Sequence, residues 1–179
     1  MTAKADELSD ELAIVENEIK SRDYEIGVVI GRNGLILHTV DGQEHSVDIP
    51  SSLVKGNVFT HNHPGGICAF SQGDVLRFIA DEGYELRVVT RDGRFVSLKE
   101  ENSLPLGASL AEALYEADFT NQNLYKQADL RAINKYGRGN YSIKQINEET
   151  EIIINTWFHN NAMNYGYNFA EGRYDLDSN

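Results

Sequence analysis

Short β-branched runs closed by glycine turns constrain this chain more than any other feature. EIGVVIG (25–31) and GLILHTV (34–40) flank Arg32 and Asn33, and Asn33-Gly34 is a strong signal for a tight hairpin turn. YELRVVT (84–90) and RFVSLK (94–99), joined by Arg91-Asp92-Gly93, read as a second hairpin. A turn at Asp41-Gly42 leads into EHSVDI (44–49), expected as a further strand that Pro50 stops. Before the first hairpin, Leu8, Leu12, Val15 and Ile19 recur at helical spacing among charges, so residues 5–20 predict an amphipathic helix with one buried face.

NVFT (57–60) reads as a buried strand end or loop from which His61 and His63 follow at once. Ser71 is a candidate N-cap for a helix over 72–81, with Val75, Leu76 and Ile79 on its core side and Asp74 in its first turn. Pro105-Leu106-Gly107 closes this mixed region and places a boundary near 103–107. Beyond it, Ala, Leu, Glu and Tyr dominate 108–135, GRGN breaks the pattern, and 142–164 regains helical character through Ile143, Ile146, Ile153 and Trp157. The expected division is therefore a mixed domain at 1–104 and a two-helix C-terminal extension at 105–179, with YDLDSN fraying. The aromatics Tyr115, Phe119, Tyr125, Trp157, Phe158, Tyr165 and Tyr167 suit helix packing, and a partner-binding face on these helices is the alternative.

Charge and composition exclude several classes. Sixteen Lys and Arg against 28 Asp and Glu give a net charge of −12, a field that repels phosphate backbones, so no nucleic-acid partner is expected. A local basic patch at Arg87, Arg91 and Arg94 is the exception to look for. No apolar run approaches the ~18 residues that span a bilayer, and the acidic start lacks the order of a signal peptide, so a cytoplasmic protein without a membrane partner is expected. Cys68 is the only cysteine, which rules out an internal disulfide.

The chemistry concentrates in HNHPGGICAFSQGD (61–74). In an extended segment the imidazoles of His61 and His63 point to one face, because strand side chains alternate with period two. Asp74 follows eleven residues after His63, far enough for Pro64, Gly65 and Gly66 to reverse the chain and bring a helical first turn under the same point. A hydrolytic zinc wants three such ligands and an open fourth position. A lone His-x-His pair is weak evidence, since most such pairs are surface or core residues. Cys68 lies in the same loop but reads as a small buried apolar group. His38, His45 and His159 lack partners at ligand spacing.

The longer pattern is more specific. His61, His63, seven intervening residues, Ser71, two more and Asp74 resemble, position for position, the JAMM motif of the MPN/JAB-domain metalloproteases, and THNHP is a typical opening of the prokaryotic and phage versions. The likeness covers residues 25 to about 98. It implies an MPN/JAB-like, cytidine-deaminase-like α+β fold, a mixed sheet flanked by helices, here followed by a C-terminal helical hairpin. It also implies Zn2+ held by His61, His63 and Asp74, Ser71 as an oxyanion donor, and a glutamate upstream as general acid/base. Glu25 is the best match for that glutamate, because it opens an apolar run, whereas Glu16 and Glu18 lie on the expected helix. Ser71 as a helix cap and Glu25 as a strand-end charge are the plainer readings.

The implied activity is that of a zinc-dependent peptidase or isopeptidase acting on a protein or peptide, ubiquitin-like proteins among the candidates. Two alternatives share the motif. One is a RadC-like protein without protease activity, although its usual ProSer is PheSer here (Phe70-Ser71). The other is a phage or toxin-associated structural protein on a JAB scaffold, docking through its C-terminal helices.

Overall fold

The computed structural model describes residues 3–43, 47–101, 107–117 and 123–174. Helix α1 (Ala3–Ile19) leads into strands β1 (Ile26–Ile30) and β2 (Ile36–Asp41), a single helical turn α2 (Ser51–Val54) and strand β3 (Val58–His63). Helix α3 (Gln72–Ala80), strands β4 (Glu85–Thr90) and β5 (Arg94–Glu100), and helices α4 (Gly107–Tyr115), α5 (Leu124–Tyr136) and α6 (Ile143–Asn161) follow. After a 3-10 turn at Ala162–Tyr165 the chain ends its described part in β6 (Tyr167–Arg173). The strands form one open sheet in the order β2-β1-β3-β4-β5-β6, antiparallel at every pair except β3 and β4. The architecture is α+β, as the sequence leads one to expect. Among the described residues no helix is long and apolar enough to cross a membrane.

The sheet carries helices on both faces. Leu12, Val15 and Ile19 of α1 pack on Ile26, Val28 and Ile30 of β1, Val58 of β3 and Val89 of β4. On the other face, Val75 and Phe78 of α3 join Leu86, Val88, Val96 and Leu98 of the sheet and Leu110, Leu124, Ile154 and Phe158 of α4–α6 in one core. Each such side chain contributes about 1.5–3 kcal/mol by leaving water. Leu76 and Ile79, expected on the core side of α3, are only partly buried against this core, and Phe78 takes the deeper position.

Three sequence expectations need correcting. Val47–Ile49 is not a strand, and Pro50 opens α2 instead of stopping one. Both edges of β1 are already taken by β2 and β3, so Val47 and Ile49 bury themselves against the sheet face, over Gly27, where a Cβ would lie 2.7 Å from Val47 Cγ2. The stretch read as one helix over 108–135 holds two, α4 and α5, the second started by an Asn123 side chain that accepts from Lys126 N. The segment after residue 104 is also not purely helical, since β6 pairs with β5 and buries Tyr167 and Phe169 in the shared core. The helical hairpin itself is present as α5 and α6, tied together by Arg131 and Lys135, which both donate to Glu149 at 2.8 Å. His45, Phe119, Pro105, Leu106 and the last residues of YDLDSN lie outside the described residues.

The three arginines singled out as the one place for a local basic patch are each paired with a carboxylate. Arg91 pairs with Asp23, and Arg94 with Asp92 and Glu151. Arg87 is buried under α1, donating to both oxygens of Glu16, at 2.6 and 3.2 Å, and to Glu85 at 3.0 Å. Thr60 and Tyr174 donate to the same Glu16 carboxylate, and Ser97 donates to Glu85. A fully partnered polar network thus ties α1 to β3, β4 and β5 and to the chain following β6.

Candidate metal centre

Strand β3 does not stop short of the histidines but runs through His63, so both rings come from the carboxyl end of a strand. That end, where β3 lies parallel to β4 and the chain crosses into α3, is the edge of an α/β arrangement at which ligand sites form. His61 is 1% exposed and stacks on Phe59, with ring centroids 5.2 Å apart. His63 Nδ1 lies 3.0 Å from the Ile67 carbonyl, which fixes that ring and leaves Nε2 facing inward.

Asp74 is set by the start of α3. Ser71 Oγ accepts from Asp74 N at 3.1 Å and Asp74 Oδ2 accepts from Ser71 N at 2.8 Å, a reciprocal capping box. The carboxylate is thereby turned toward the strand. His61 Nε2 and His63 Nε2 are 3.1 Å apart, and the two Asp74 oxygens lie 3.6 Å from one nitrogen each. All three ligand atoms fall within 4.8 Å of one another, the arrangement expected from the sequence. A tetrahedral zinc with bonds of about 2.0–2.1 Å holds its ligand atoms about 3.3–3.4 Å apart. The 3.1 Å between the two imidazole nitrogens and the 3.6 Å from each to its nearer Asp74 oxygen lie close to that value, and the donor set of two imidazoles and one carboxylate suits the ion, so the residues fit it.

Glu25 reaches the same place through strand register. The β1–β3 ladder ends at the pair Gly27 and His61, and Glu25, two residues before Gly27, lies beside His63 in the same cleft. Glu25 is 8% exposed and, with His63, Ser71 and Asp74, lines a cleft of about 360 Å3. The structure therefore brings all five expected residues together. Ser71 serves as the helix cap through its oxygen, which leaves its own proton free to be donated into the cleft.

Several residues of the site carried no signal that sequence reasoning used. Asn62, between the two histidines and fully buried, points to the opposite face, as period two demands. Its Oδ1 accepts from Ile26 N at 2.6 Å and its Nδ2 donates to Tyr24 O at 3.0 Å, so it clamps the backbone on both sides of Glu25. From the far end of the chain, α6 fastens the loop between β3 and α3. Glu151 accepts from Cys68 N at 2.9 Å, Asn155 donates to Cys68 O at 2.9 Å, and Arg94 pairs with Glu151. The Cys68 thiol belongs to none of this; burial pushes it up to about 12, the value of an inert packing group. His159 pairs with Glu171 away from the cleft.

Electrostatics link the three ligand residues. Burial works against charge on His63, but the Asp74 hydrogen bond and charge outweigh it and raise the imidazole above its ordinary 6.5. Burial would raise Asp74, and His61 and His63 reverse this, holding it well below 3.8. A raised histidine gives stability that is complete below 6.5 and is lost as pH rises through its folded value; a depressed aspartate gives stability complete above 3.8 and lost on acidification. In metal-free protein the pair should stabilise most between these two values. Thermal melts of chelated protein should therefore show this contribution fading from pH 6 to pH 8, while added zinc, which needs deprotonated ligands, should raise the melting temperature more at pH 8 than at pH 6. The opposite trend for zinc would dissociate the ion from these side chains.

No family model matches this chain, and neither a curated protein nor a solved structure was found to match it.

Proposed function

We propose that this chain is a zinc-dependent metallopeptidase or isopeptidase of the JAMM type, built on an MPN/JAB-like fold and cutting an amide bond in a protein or peptide. The observation that carries the reading is the convergence of His61, His63 and Asp74 within 4.8 Å at a cleft that His63 and Asp74 line together with Glu25 and Ser71. Bound there, zinc would supply a Lewis acid for the amide carbonyl and lower the pKa of a coordinated water to about 7. His61, His63 and Asp74 would hold the ion, their orientations fixed by Phe59, by the Ile67 carbonyl and by the capping box respectively. The Glu25 carboxylate takes the proton of the attacking water and returns it to the leaving amine. Ser71, its oxygen already held by Asp74 N, donates its proton to the oxyanion as charge develops, a contribution of about 2.7–4 kcal/mol for donors of this kind.

Asp74→Asn tests the reading. The variant keeps one oxygen for the cap but loses the anionic ligand, so hydrolysis of a protein or peptide substrate should fall to background and zinc content should fall with it. Chelation should silence the native protein and added zinc should restore it. Undiminished hydrolysis after chelation would remove the metal from the mechanism.

A further inference from the structure

Helix α6 turns a row of polar side chains at four-residue spacing toward the loop between β3 and α3: Asn147, Glu151 and Asn155. Two of the three are spent on main chain. Glu151 accepts from Cys68 N and Asn155 donates to Cys68 O, so together they hold both backbone groups of one residue. Asn147, one turn nearer the start of the helix, instead lines the cleft beside Glu25, His63, Ser71 and Asp74. Its carboxamide makes no side-chain hydrogen bond among the described residues, although asparagine is a poor helix former and the position offers it no cap. The helix carrying it is held at its start by the Ser142–Gln145 capping box and along its length by Glu151 and Asn155, so the carboxamide is presented from a fixed element.

A carboxamide has one acceptor and a pair of donors, the complement of a peptide group. Among the described residues no lysine or arginine lines the cleft, and its titratable side chains are His63, Glu25 and Asp74, so none of these residues offers the fixed cation that a free chain carboxylate would need. We propose that Asn147 is a substrate-binding residue that hydrogen-bonds a backbone peptide group next to the scissile amide, and that the substrate is an extended polypeptide cut at an internal amide. This rests on the metallopeptidase reading above and adds to it a substrate class and a residue outside the motif.

The test uses the zinc-loaded full chain and three hydroxamates that share one metal-binding group. Acetohydroxamate carries nothing else, an acetyl-diglycyl hydroxamate adds backbone amides on the acyl side, and a hydroxamoylacetyl-diglycinamide adds them on the amine side. Asn147→Ala should bind acetohydroxamate as the native chain does and lose about fivefold to tenfold in affinity for at least one extended probe, the size of one side-chain hydrogen bond. Asn147→Gln, which keeps the carboxamide, should recover part of that loss. Equal affinities of the native chain and Asn147→Ala for both extended probes would overturn the role of Asn147, as would an equal loss on all three probes. If the native chain with zinc present binds no hydroxamate at all, the metal reading fails and the substrate assignment falls with it.

Discussion

Glu25→Gln should lower hydrolysis by about a hundredfold to ten-thousandfold, the range that a positioned general acid–base group contributes, while leaving zinc content and folding as they were. The substitution is close to isosteric. It removes the proton acceptor without touching His61, His63 or Asp74, and the backbone of residue 25 stays tied to Gln43 O, Gly42 N and the Asn62 clamp. The two halves of this result separate it from a general loss of structure: kcat drops, yet elemental analysis still finds the metal. A Glu25→Gln variant with native kcat would assign the proton transfer elsewhere.

The largest stability effect is expected on the other side of the sheet. Glu16 is fully buried and accepts from Arg87, Thr60 and Tyr174. Glu16→Ala leaves the Arg87 guanidinium, itself 7% exposed, with Glu85 as its one carboxylate partner beside the Tyr174 hydroxyl, and removes the acceptor of the Thr60 and Tyr174 hydroxyls. Removing one member of a buried pair costs about 3–5 kcal/mol, a large part of the ~5–15 kcal/mol that holds a domain folded. Urea denaturation should show a correspondingly lower midpoint. A loss below ~1 kcal/mol would mean that water reaches Arg87. The triple replacement Glu16→Leu, Glu85→Gln and Arg87→Met should be much milder than Glu16→Ala, because no buried charge of the network is then left without its partner.

What the sequence made legible was local. Asn33-Gly34 and the Arg91–Gly93 turn placed both hairpins, Leu12, Val15 and Ile19 placed the buried stripe of α1, and the spacing from His61 to Asp74 pointed to the cluster of His61, His63 and Asp74. What it concealed depends on partners distant in the chain. β6 offers only Tyr167 and Phe169 as alternating apolar positions, and its Gly172 looks like a breaker until Phe95 is seen against it, 2.3 Å from where a Cβ would lie. EHSVDI has strand composition, but its Val47 and Ile49 find their burial over Gly27 instead of in a ladder. Glu25 could be picked out only by likeness, since its place beside His63 in the cleft depends on the pairing of β1 with a strand over thirty residues away. Asn62 and the Asn147–Glu151–Asn155 row are ordinary polar residues until the backbone atoms they face are known.

The loop between β3 and α3 is thus held from three sides: by its own capping box, by the Ile67 carbonyl on His63, and by α6 through Cys68. Such rigidity holds the His61, His63 and Asp74 side chains in one arrangement, the condition that tight binding of an ion there would require. The C-terminal helices are structural parts of this centre as well as covers of the core, since α6 both fastens the loop and walls the cleft.

Elemental analysis of the purified native chain and of His61→Ala, each dialysed against metal-free buffer after exposure to zinc, tests the central claim most directly. About one zinc per native chain is expected, with near-complete loss in His61→Ala. Native protein that retains no zinc, or a His61→Ala variant that retains as much as the native chain, would contradict the assignment of His61, His63 and Asp74 as a metal centre.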